Sequence, residues 1–548
     1  MDTTFPWLTV LGLIPLVGTA VLLALPRRKE QLQKVVALVT SLVVLVVTVL
    51  ACAAFDPKGD RFQFTQAYDW IPAFGVQYAV GADGIALVLI ALIAVLVPVV
   101  ILASWHDSDA VVPSAASTSV DPDVDGGGAG SVRVGSTAEG PRARLRSVKA
   151  FFALLLVLET MMIGVFAATD VFLFYVFFEA MLIPMYFLIG SYGGPRRSYA
   201  AMKFLLFSLA GGLLMLASVI GLYVVSEDQG EGTFAFERLV ELEISTPVQI
   251  ALFLGFFIAF AIKAPLFPFH TWLPDAGAEA PVGGAVLLVG VLDKVGTFGF
   301  LRYCLPLFPD ASRILGPYII VLCVIGILYG ALVAMGQRDL KRLISYTSVA
   351  HFGFIGMGIF AFTTQGQTGA VLYMVNHGLS TGALFLVAGF LIARGKSRLI
   401  EDYSGVAAIA PVLAGTFLLA GLSSLALPGL STFIGEFLVL LGTYSRYPVA
   451  AVFAVLGVVL AALYILLTYQ RTMQGKLRLP AGLTSVKDLH LREVVAVAPL
   501  LALMVVLGVY PKPLTDVINP AVKETMQDAG RSDPAPTQGG GDAAAPAR

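Results

Sequence analysis

Residues 248–269 read VQIALFLGFFIAFAIKAPLFPF, an apolar stretch that carries one lysine and then two prolines. A helix of about 20 apolar residues spans the ~30 Å hydrocarbon core of a bilayer, and this stretch has that length. Lys263 lies inside it, and Pro265 and Pro268 interrupt the helix shortly afterwards. The stretch therefore predicts a discontinuous membrane helix that contains a buried charge.

The composition of the whole chain agrees with this stretch. Of the 548 residues, 57% are hydrophobic and only 13% are charged, and the mean hydropathy is +0.86. These values exclude a soluble cytosolic enzyme. The 35 basic and 36 acidic side chains nearly cancel. No basic excess therefore points to nucleic acid as a partner.

The three cysteines do not form a recognisable pattern. Cys52, Cys304 and Cys323 lie far apart in apolar segments. Such spacing does not support a zinc site, an iron–sulfur cluster or a disulfide framework. We therefore expect any redox chemistry to take place in another chain.

Fourteen segments have the length and hydropathy of a membrane helix. They cover approximately residues 7–26, 33–54, 81–105, 149–167, 169–190, 199–224, 248–269, 280–303, 316–335, 341–361, 367–393, 409–442, 447–471 and 493–510. We therefore predict an all-α integral membrane protein with about 14 transmembrane helices. The first segment lacks a positive leader and a cleavage site, so we expect a retained helix there.

The basic residues between the predicted helices indicate an orientation. If the N-terminus faces outward, most of the 35 lysines and arginines fall on the inward side. Inward loops of membrane proteins carry an excess of these residues. We therefore expect both the N-terminus and the C-terminus on the outer side.

Two of the predicted helices are interrupted at corresponding places. Helix 7 is broken at Pro265 and Pro268, and helix 12 is broken at Pro428-Gly429. They are the fourth members of two five-helix groups, helices 4–8 and helices 9–13. Because five is odd, the second group enters the membrane in the opposite sense, as in transporters with inverted repeats. Prolines are common in membrane helices, however, so the two inverted five-helix repeats are a hypothesis.

The chain divides into six predicted regions. They are an N-terminal three-helix segment (1–105), a disordered inward-facing loop (106–148), the first repeat (149–303), the second repeat (316–471), an inward loop with the last transmembrane helix (472–510) and an outward-facing disordered tail (511–548). The loop and the tail are rich in small and polar residues without periodicity, which is typical of disorder.

Few charged or titratable side chains fall well inside the predicted helices. They are Glu159, Glu179, Lys263, Asp293, Lys294, His351, His377 and Glu436. A charge at mid-bilayer costs ~2.5–3.5 kcal/mol even on the lenient insertion scale, so such groups usually pair or line a wet path. Carboxylates, ammonium groups and imidazoles are suited to exchanging protons.

Six of these groups could share one membrane level, namely Glu179, Lys263, Lys294, His351, His377 and Glu436. A nearby carboxylate favours the charged form of a lysine, whereas burial alone favours the neutral form. Movement of Glu179 towards or away from Lys263 would therefore switch this lysine between holding and releasing a proton. Histidines are natural relays between such sites.

The same groups also admit structural interpretations. A buried pair of Glu179 and Lys263 is compatible with a purely structural role. His351 and His377, each taken alone, are compatible with hydrogen-bonded packing residues. Two histidines on neighbouring helices could also ligate a haem, although the chain has no second histidine pair.

Four long motifs carry a family resemblance. They are FALLLVLETMMIGVFAATDVFLFYVFFEAMLIPMYFLIGSYGG (152–194), GFFIAFAIKAPLFPFHTWLPDAGAEAP (255–281), LKRLISYTSVAHFGFIGMG (340–358) and NHGLSTGALFL (376–386). Through them the chain resembles the proton-conducting antiporter-like subunits of respiratory complex I, the bacterial NADH:quinone oxidoreductase. The resemblance covers approximately residues 70–510.

The resemblance implies roles for individual residues. Glu179 in FFEAMLIPMYF matches the family carboxylate of helix 5, and Lys263 in AIKAPLFPFH matches the family lysine of helix 7. Together they would form the coupling pair. Lys294 in VLDKVGTFGFLR matches the central lysine of helix 8, and His351 and His377 would provide the connecting path.

The last site separates branches of the family. Glu436 in FIGEF matches the terminal site of helix 12. The M-type subunits have glutamate there, whereas the L-type and N-type subunits usually have lysine. The chain therefore resembles the M-type subunits most. A long lateral helix of the L-type is also absent after helix 14.

Two positions depart from the family pattern. The family usually reads LPDAH after helix 7, whereas residues 273–277 here read LPDAG. Asp293 occupies a position that is usually apolar, and it lies about 100° around the helix from Lys294. We assign Asp293 no role at this stage and interpret Glu159 as structural. The inward proton route of the first half is expected to differ from that of the relatives.

The resemblance implies a proton-translocating subunit that couples quinone reduction elsewhere in the complex to outward proton pumping. It implies that flavin, iron–sulfur clusters and quinone reside in partner subunits and that this chain holds no cofactor or metal. It also implies N-like and L-like neighbours in the lipid bilayer of a bacterial plasma membrane. Three alternatives stay open: a subunit of a multi-component sodium/proton antiporter, a non-conducting structural subunit, and a haem-binding redox subunit.

Overall fold

The computed structural model describes residues 5–106, 147–480 and 483–535. The described helices are α1 (Trp7–Ala24), α2 (Glu30–Ala54), α3 (Gly84–Ala103), α4 (Val148–Ala167), α5 (Val171–Tyr192), α6 (Arg197–Asp228), α7 (Phe236–Val240), α8 (Thr246–Lys263), α9 (Leu273–Glu279), α10 (Val282–Leu307), α11 (Pro309–Met335), α12 (Leu340–Phe360), α13 (Thr364–Gly395), α14 (Pro411–Ser424), α15 (Ser431–Tyr444), α16 (Pro448–Met473), α17 (Leu491–Val509) and α18 (Lys512–Asp528).

Thirteen helices of the described chain are long and apolar enough to cross a membrane. The shorter apolar helices α14 and α15 together take the place of predicted helix 12. The predicted helical membrane architecture with about 14 spans is therefore confirmed. The inverted relation between the two five-helix groups stays a prediction.

Both predicted breaks are present. α8 ends at Lys263 and α9 begins only at Leu273, so Pro265 and Pro268 fall in the gap between them. The second gap separates α14 from α15, and there Gly429 has a φ of 92°, a left-handed conformation that glycine adopts without strain. Each break leaves helix ends inside the protein, where backbone and side-chain polar groups can line a path.

The N-terminal three-helix segment (1–105) also contains two strands that the sequence analysis did not predict. Between α2 and α3 the chain forms an antiparallel hairpin of β1 (Gln63–Ile71) and β2 (Val76–Ala82), with Tyr68 opposite Tyr78. Helix α3 consequently begins at residue 84 and not at residue 81. Its start is fixed by Asp83, whose carboxylate accepts the N–H of Ala86 at 2.8 Å.

The prediction that the entire 511–548 tail is disordered was wrong, because α18 occupies its first half. Ile518, Val522 and Met526 recur every four residues on one face of α18 and are buried. Asp528 accepts a hydrogen bond from Arg61 at 2.6 Å. Residues 536–548 of this tail, and almost all of the predicted 106–148 loop, lie outside the described residues.

The most buried elements are α10, α12 and α13. α10 is buried from residue 283 to its end, and it contains two π-helical turns, Leu288–Leu292 and Phe300–Cys304. By contrast, only about a third of the residues in the most apolar windows of α1, α2 and α16 are buried, as expected for lipid-facing helices. Among the described residues, α10 is therefore a central helix that is buried along nearly its whole length.

Candidate functional site

Five of the six predicted site residues are buried in the interior. Lys294 and His377 have no exposed surface, and Lys263, His351 and Glu436 are 1–4% exposed. Glu179 is only partly buried, because α5 lies at the edge of the bundle. The site therefore begins near the surface of the chain and continues through its core.

Lys263 occupies the last turn of α8, directly before the break. Its ammonium group lies 4.4 Å from the ring centroid of Phe178, the residue that precedes Glu179 on α5. Nζ has no hydrogen-bond partner among the described residues. An aromatic face can stabilise a cation, but more weakly than a hydrogen-bonded carboxylate in a dry interior.

Glu179 lies at the end of a helical turn that breaks at Met181, because Pro184 cannot donate to the carbonyl of Ala180. Its carboxylate packs on Gly212 of α6, where an added Cβ would lie 1.7 Å from Oε1. Oε1 is buried and has no hydrogen-bond partner in the described structure. Glu179 and Lys263 do not form the expected ion pair, because no oxygen of Glu179 lies within 4.0 Å of Lys263 Nζ in the described structure. The two groups therefore approach each other without pairing.

Lys294 begins a regular helical segment directly after the first π-helical turn of α10. Its Nζ donates to the carbonyl of Val289 and contacts His377 Nδ1 at 2.7 Å. It also lies 5.1 Å from the ring centroid of Phe352. A π-helical turn displaces carbonyls from their usual partners, so this turn provides the lysine with an acceptor on its own helix.

The two histidines form the centre of the site. The ring of His377 on α13 lies 5.2 Å from the ring of His351 on α12, measured between centroids. His377 Nε2 is 3.2 Å from Ser348 Oγ, and His351 Nε2 is 3.3 Å from Ser424 Oγ. Each of the four ring nitrogens thus has a polar neighbour within the protein. The neighbour of His351 Nε2, Ser424, is the last residue of α14.

The sequence analysis missed Tyr373. Its hydroxyl lies 2.6 Å from His351 Nδ1 and donates to Glu436 Oε2 at 3.0 Å. Tyr373 precedes His377 by four residues on α13, so both side chains lie on one helix face. That spacing was the available signal, because it places a second polar ring within an otherwise apolar span.

Hydrogen bonds therefore connect Lys294 to His377 and connect His351 through Tyr373 to Glu436. Only the step between the two imidazole rings has no direct hydrogen bond in the described structure. One bridging water or hydroxyl can span such a gap. Glu436 ends the series on α15, and its Oε1 has no partner among the described residues.

Two further carboxylates of the predicted intramembrane set are fully buried, Glu159 on α4 and Asp293 on α10. Neither has a hydrogen-bond partner for either oxygen among the described residues. The interpretation of Glu159 as a structural residue therefore gains no support from hydrogen bonds. A buried polar atom without a partner costs free energy, so both positions need an explanation.

An ionic clasp connects the two halves at the predicted inward face. Asp275 on α9 accepts from Lys203 of α6 at 2.7 Å and from Arg342 of α12 at 2.5 Å. Burial opposes the ionisation of Asp275, but these hydrogen bonds outweigh it and hold its pKa below the ordinary value. A Cβ at neighbouring Gly277 would lie 2.4 Å from Ser345 Oγ. The glycine permits close contact here, where the resembling family has histidine.

The chain is similar in sequence to known membrane proteins. The family model described as NADH:quinone oxidoreductase/Mrp antiporter, TM, matches residues 168–462. The NADH-quinone oxidoreductase subunit M of Mycobacterium tuberculosis is 52% identical over 545 residues, which are 97% of this chain and 96% of the relative. The subunit M of Rhodobacter capsulatus is 37% identical, over 95% of this chain and 96% of the relative.

A solved structure shows the same fold. A chain in the structure of respiratory complex I from Thermus thermophilus with bound NADH superimposes with a TM-score of 0.81 at 32% sequence identity. The match covers 95% of this chain and 100% of that chain. The fold is therefore shared over nearly the whole of both chains.

Proposed function

This chain belongs to the family of membrane subunits common to NADH:quinone oxidoreductase and Mrp antiporters, and we propose that it translocates protons within an NADH:quinone oxidoreductase. One observation carries the proposal. Buried polar side chains form a series from Lys294 through His377, His351 and Tyr373 to Glu436, with a hydrogen-bond contact at every step except the one between the two imidazole rings. Groups that bind and release protons are retained in such an interior at a cost, which their function explains.

The proposal assigns a donor and an acceptor to each hydrogen bond of the path. A charged Lys294 can only donate, so His377 accepts at Nδ1 and carries its own hydrogen on Nε2. Proton transfer breaks an N–H bond of Lys294 and forms an N–H bond on His377. Lys294 becomes a neutral amine and His377 an imidazolium.

The second part of the path transfers protons in one concerted step. An ionised Glu436 accepts from the Tyr373 hydroxyl, whose free lone pair then faces the N–H of His351. When His351 receives a proton at Nε2, its Nδ1 proton passes to Tyr373 and the tyrosine proton passes to Glu436. The result is a protonated Glu436, an intact tyrosine hydroxyl and a His351 that now carries its hydrogen on Nε2. The imidazole and the hydroxyl must return to their first arrangement, and Glu436 must lose its proton, before the next transfer.

The unpaired groups of the first half would control this transfer. Charges in the interior interact strongly, so a change in the distance between Glu179 and Lys263 changes how firmly the lysine holds its proton. Glu179 lies at the edge of the chain, where a neighbouring subunit could influence it. We propose that quinone reduction elsewhere in the complex acts on this pair.

The surroundings of the chain follow from the same proposal. Flavin, iron–sulfur clusters and quinone would reside in partner subunits, and N-like and L-like subunits would adjoin this one. The enclosing bilayer would be a bacterial plasma membrane. The basic residues support an orientation with both termini and the release of protons on the outer side.

The alternatives fit the contacts less well. Sodium prefers cages of oxygen ligands as a hard cation, whereas the central part of this path consists of an amine and two imidazoles. A haem would need a ring nitrogen of each histidine as its ligand, and all four already contact protein groups. Sodium-dependent transport in vesicles, or visible absorption by the isolated subunit, would nevertheless favour these alternatives.

The test uses the intact complex with Lys263→Ala, in inverted membrane vesicles. We expect the ratio of protons translocated to NADH oxidised to fall, while the complex assembles and still oxidises NADH. Lys476→Ala is the matched control, because Lys476 is exposed in the inward loop. An assembled Lys263→Ala complex that pumps with the wild-type ratio would contradict the proposal. Failure of assembly alone, with Lys263→Arg also failing, would favour the structural alternative.

A further inference from the structure

Asp293 is a buried carboxylate that the path described above does not use. It has no exposed surface, and neither of its oxygens has a hydrogen-bond partner among the described residues. An isolated ionised carboxylate in such a place costs far more than a neutral acid. Asp293 is therefore stable there only when protonated or when compensated by a nearby positive charge.

Its position on α10 shows which neighbours it faces. Gly296, three residues later, packs on α8 so closely that a Cβ would lie 2.4 Å from the carbonyl oxygen of Phe260 and 2.6 Å from the nitrogen of Ala264. Residues three apart share a helix face. Asp293 therefore lies on the face of α10 that contacts the end of α8, where Lys263 is located.

Lys294 lies on a different face of the same helix. Successive residues are about 100° apart around an α-helix, and the ammonium of Lys294 contacts His377 on α13. Adjacent residues of α10 thus face the two halves of the molecule. The π-helical turn ends here, since the N–H of Asp293 bonds to the carbonyl of Leu288 at 3.2 Å, five residues earlier.

The electrostatic surroundings agree with this placement. Glu179 and Asp293 are the two carboxylates whose charges act on Lys263. Asp293 is also the carboxylate whose charge acts on Lys294. Among the described residues, Asp293 is thus the acidic group that interacts electrostatically with both Lys263 and Lys294.

We propose that Asp293 is a proton-binding site that transfers protons between Lys263 and Lys294. The inference rests on the proposed function of the chain. In the first transfer an N–H bond of the Lys263 ammonium breaks and an O–H bond forms on Asp293, which leaves a neutral amine and a neutral acid. In the second transfer that O–H bond breaks and an N–H bond forms on a neutral Lys294, which restores the carboxylate. A water molecule can mediate either step.

The test compares Asp293→Asn with Asp293→Glu in the intact complex. Asparagine keeps the size of the side chain but cannot bind a proton, so the ratio of protons to NADH should fall to the level of Lys263→Ala. Glutamate restores a titratable group and should recover most of the wild-type ratio. Asp228→Asn, at the exposed end of α6, is the matched control.

The outcomes separate this inference from the proposed function. A wild-type ratio for Asp293→Asn, together with a reduced ratio for Lys263→Ala, would overturn the role of Asp293 and leave the proposed function standing. A wild-type ratio for both variants would overturn the proposed function itself. Failure of both Asp293→Asn and Asp293→Glu to assemble would show a packing role and overturn the inference.

A second measurement applies if only Asp293→Asn fails to assemble. Redox-induced infrared difference spectra of the wild-type complex should contain the carbonyl stretching band of a carboxylic acid that gains or loses its proton during turnover. This band should shift in Asp293→Glu, because the acid has changed. An identical band in both complexes would overturn the inference, since a merely structural carboxylate would not change protonation.

Discussion

The two halves of the molecule treat their buried charges in opposite ways. In the first half, Lys263 contacts an aromatic ring and Glu179 packs on a glycine, and neither has a hydrogen-bond partner among the described residues. Lys294 lies on α10 at the end of the first half, but it is bonded to an imidazole of the second half, where Glu436 is bonded to a phenol. The same residue types are therefore isolated in one half and connected in the other.

This difference indicates that the two halves have different roles in proton transfer. A connected series of donors and acceptors can transfer a proton without large movements, because each group already faces the next. An unpaired buried charge is costly, and its energy changes steeply when its counter-ion moves. The first half is thus suited to control and the second half to conduction.

The largest expected effect comes from breaking the connected half at Tyr373→Phe. Removal of the hydroxyl leaves His351 and Glu436 without a common partner, and the loss of a positioned proton-transfer group slows such transfers by roughly 10²-fold or more. The ratio of protons to NADH should fall while NADH oxidation continues. Tyr318→Phe, at a residue 69% exposed on α11, is the matched control. An unchanged ratio would show that the series is not a conducting path.

An intermediate effect is expected from Gly212→Ala in the unpaired half. The new methyl group would overlap Glu179 Oε1, so the carboxylate must move and its distance from Lys263 must change. Overpacking of this kind costs about 1–3 kcal/mol of stability. We expect an assembled complex with an altered coupling ratio. Gly415 has open space around it, so Gly415→Ala should leave the assembly of the complex and the coupling ratio unchanged. If Gly212→Ala and Gly415→Ala had the same coupling ratio, the position of Glu179 would not control proton transfer.

The smallest effect concerns the clasp at Asp275, which links the two halves. Because the pKa of Asp275 is lowered in the folded protein, the clasp is fully formed above the ordinary pKa of about 3.9 and weakens as the pH falls through the lowered value. Hydrogen exchange of residues 273–279, measured at equal intrinsic exchange rates, should not increase between about pH 8 and about pH 5.

The matched variants of this clasp make the test sharper. Asp275→Asn should increase the exchange of residues 273–279 already at neutral pH. Asp516→Asn, which breaks an exposed pair with Lys512, should change nothing measurable. Loosening of the wild-type segment at mildly acidic pH would mean that another group holds the halves together.

Much of the membrane architecture was predictable because a bilayer imposes a strong length requirement on apolar helices. The breaks at Pro265 and Pro428 were predictable for a similar reason, since proline removes a helical hydrogen bond. The hairpin of β1 and β2 was missed because strands of seven to nine residues produce a weak periodic signal. Helix α18 was missed because its stripe of buried residues gains stability only when it packs on the bundle.

The site was predictable as a set of residues but not as a geometry. A charge in an apolar span is conspicuous in a sequence, so Lys294 and Glu436 could be identified. Tyr373 could not be identified in the same way, because a tyrosine in an apolar helix is usually a packing residue. The missing pair of Glu179 and Lys263 depends on how α5 and α8 pack, and spacing along the chain does not specify that.

The end of the connected half provides the most direct test of the account. Glu436→Gln keeps the hydrogen bond from Tyr373 but removes the ability to bind a proton, so it separates conduction from packing. The ratio of protons translocated to NADH oxidised should be measured in inverted vesicles that contain the assembled complex. The account predicts a ratio clearly below that of the wild type, with assembly and NADH oxidation retained. A wild-type ratio would contradict it.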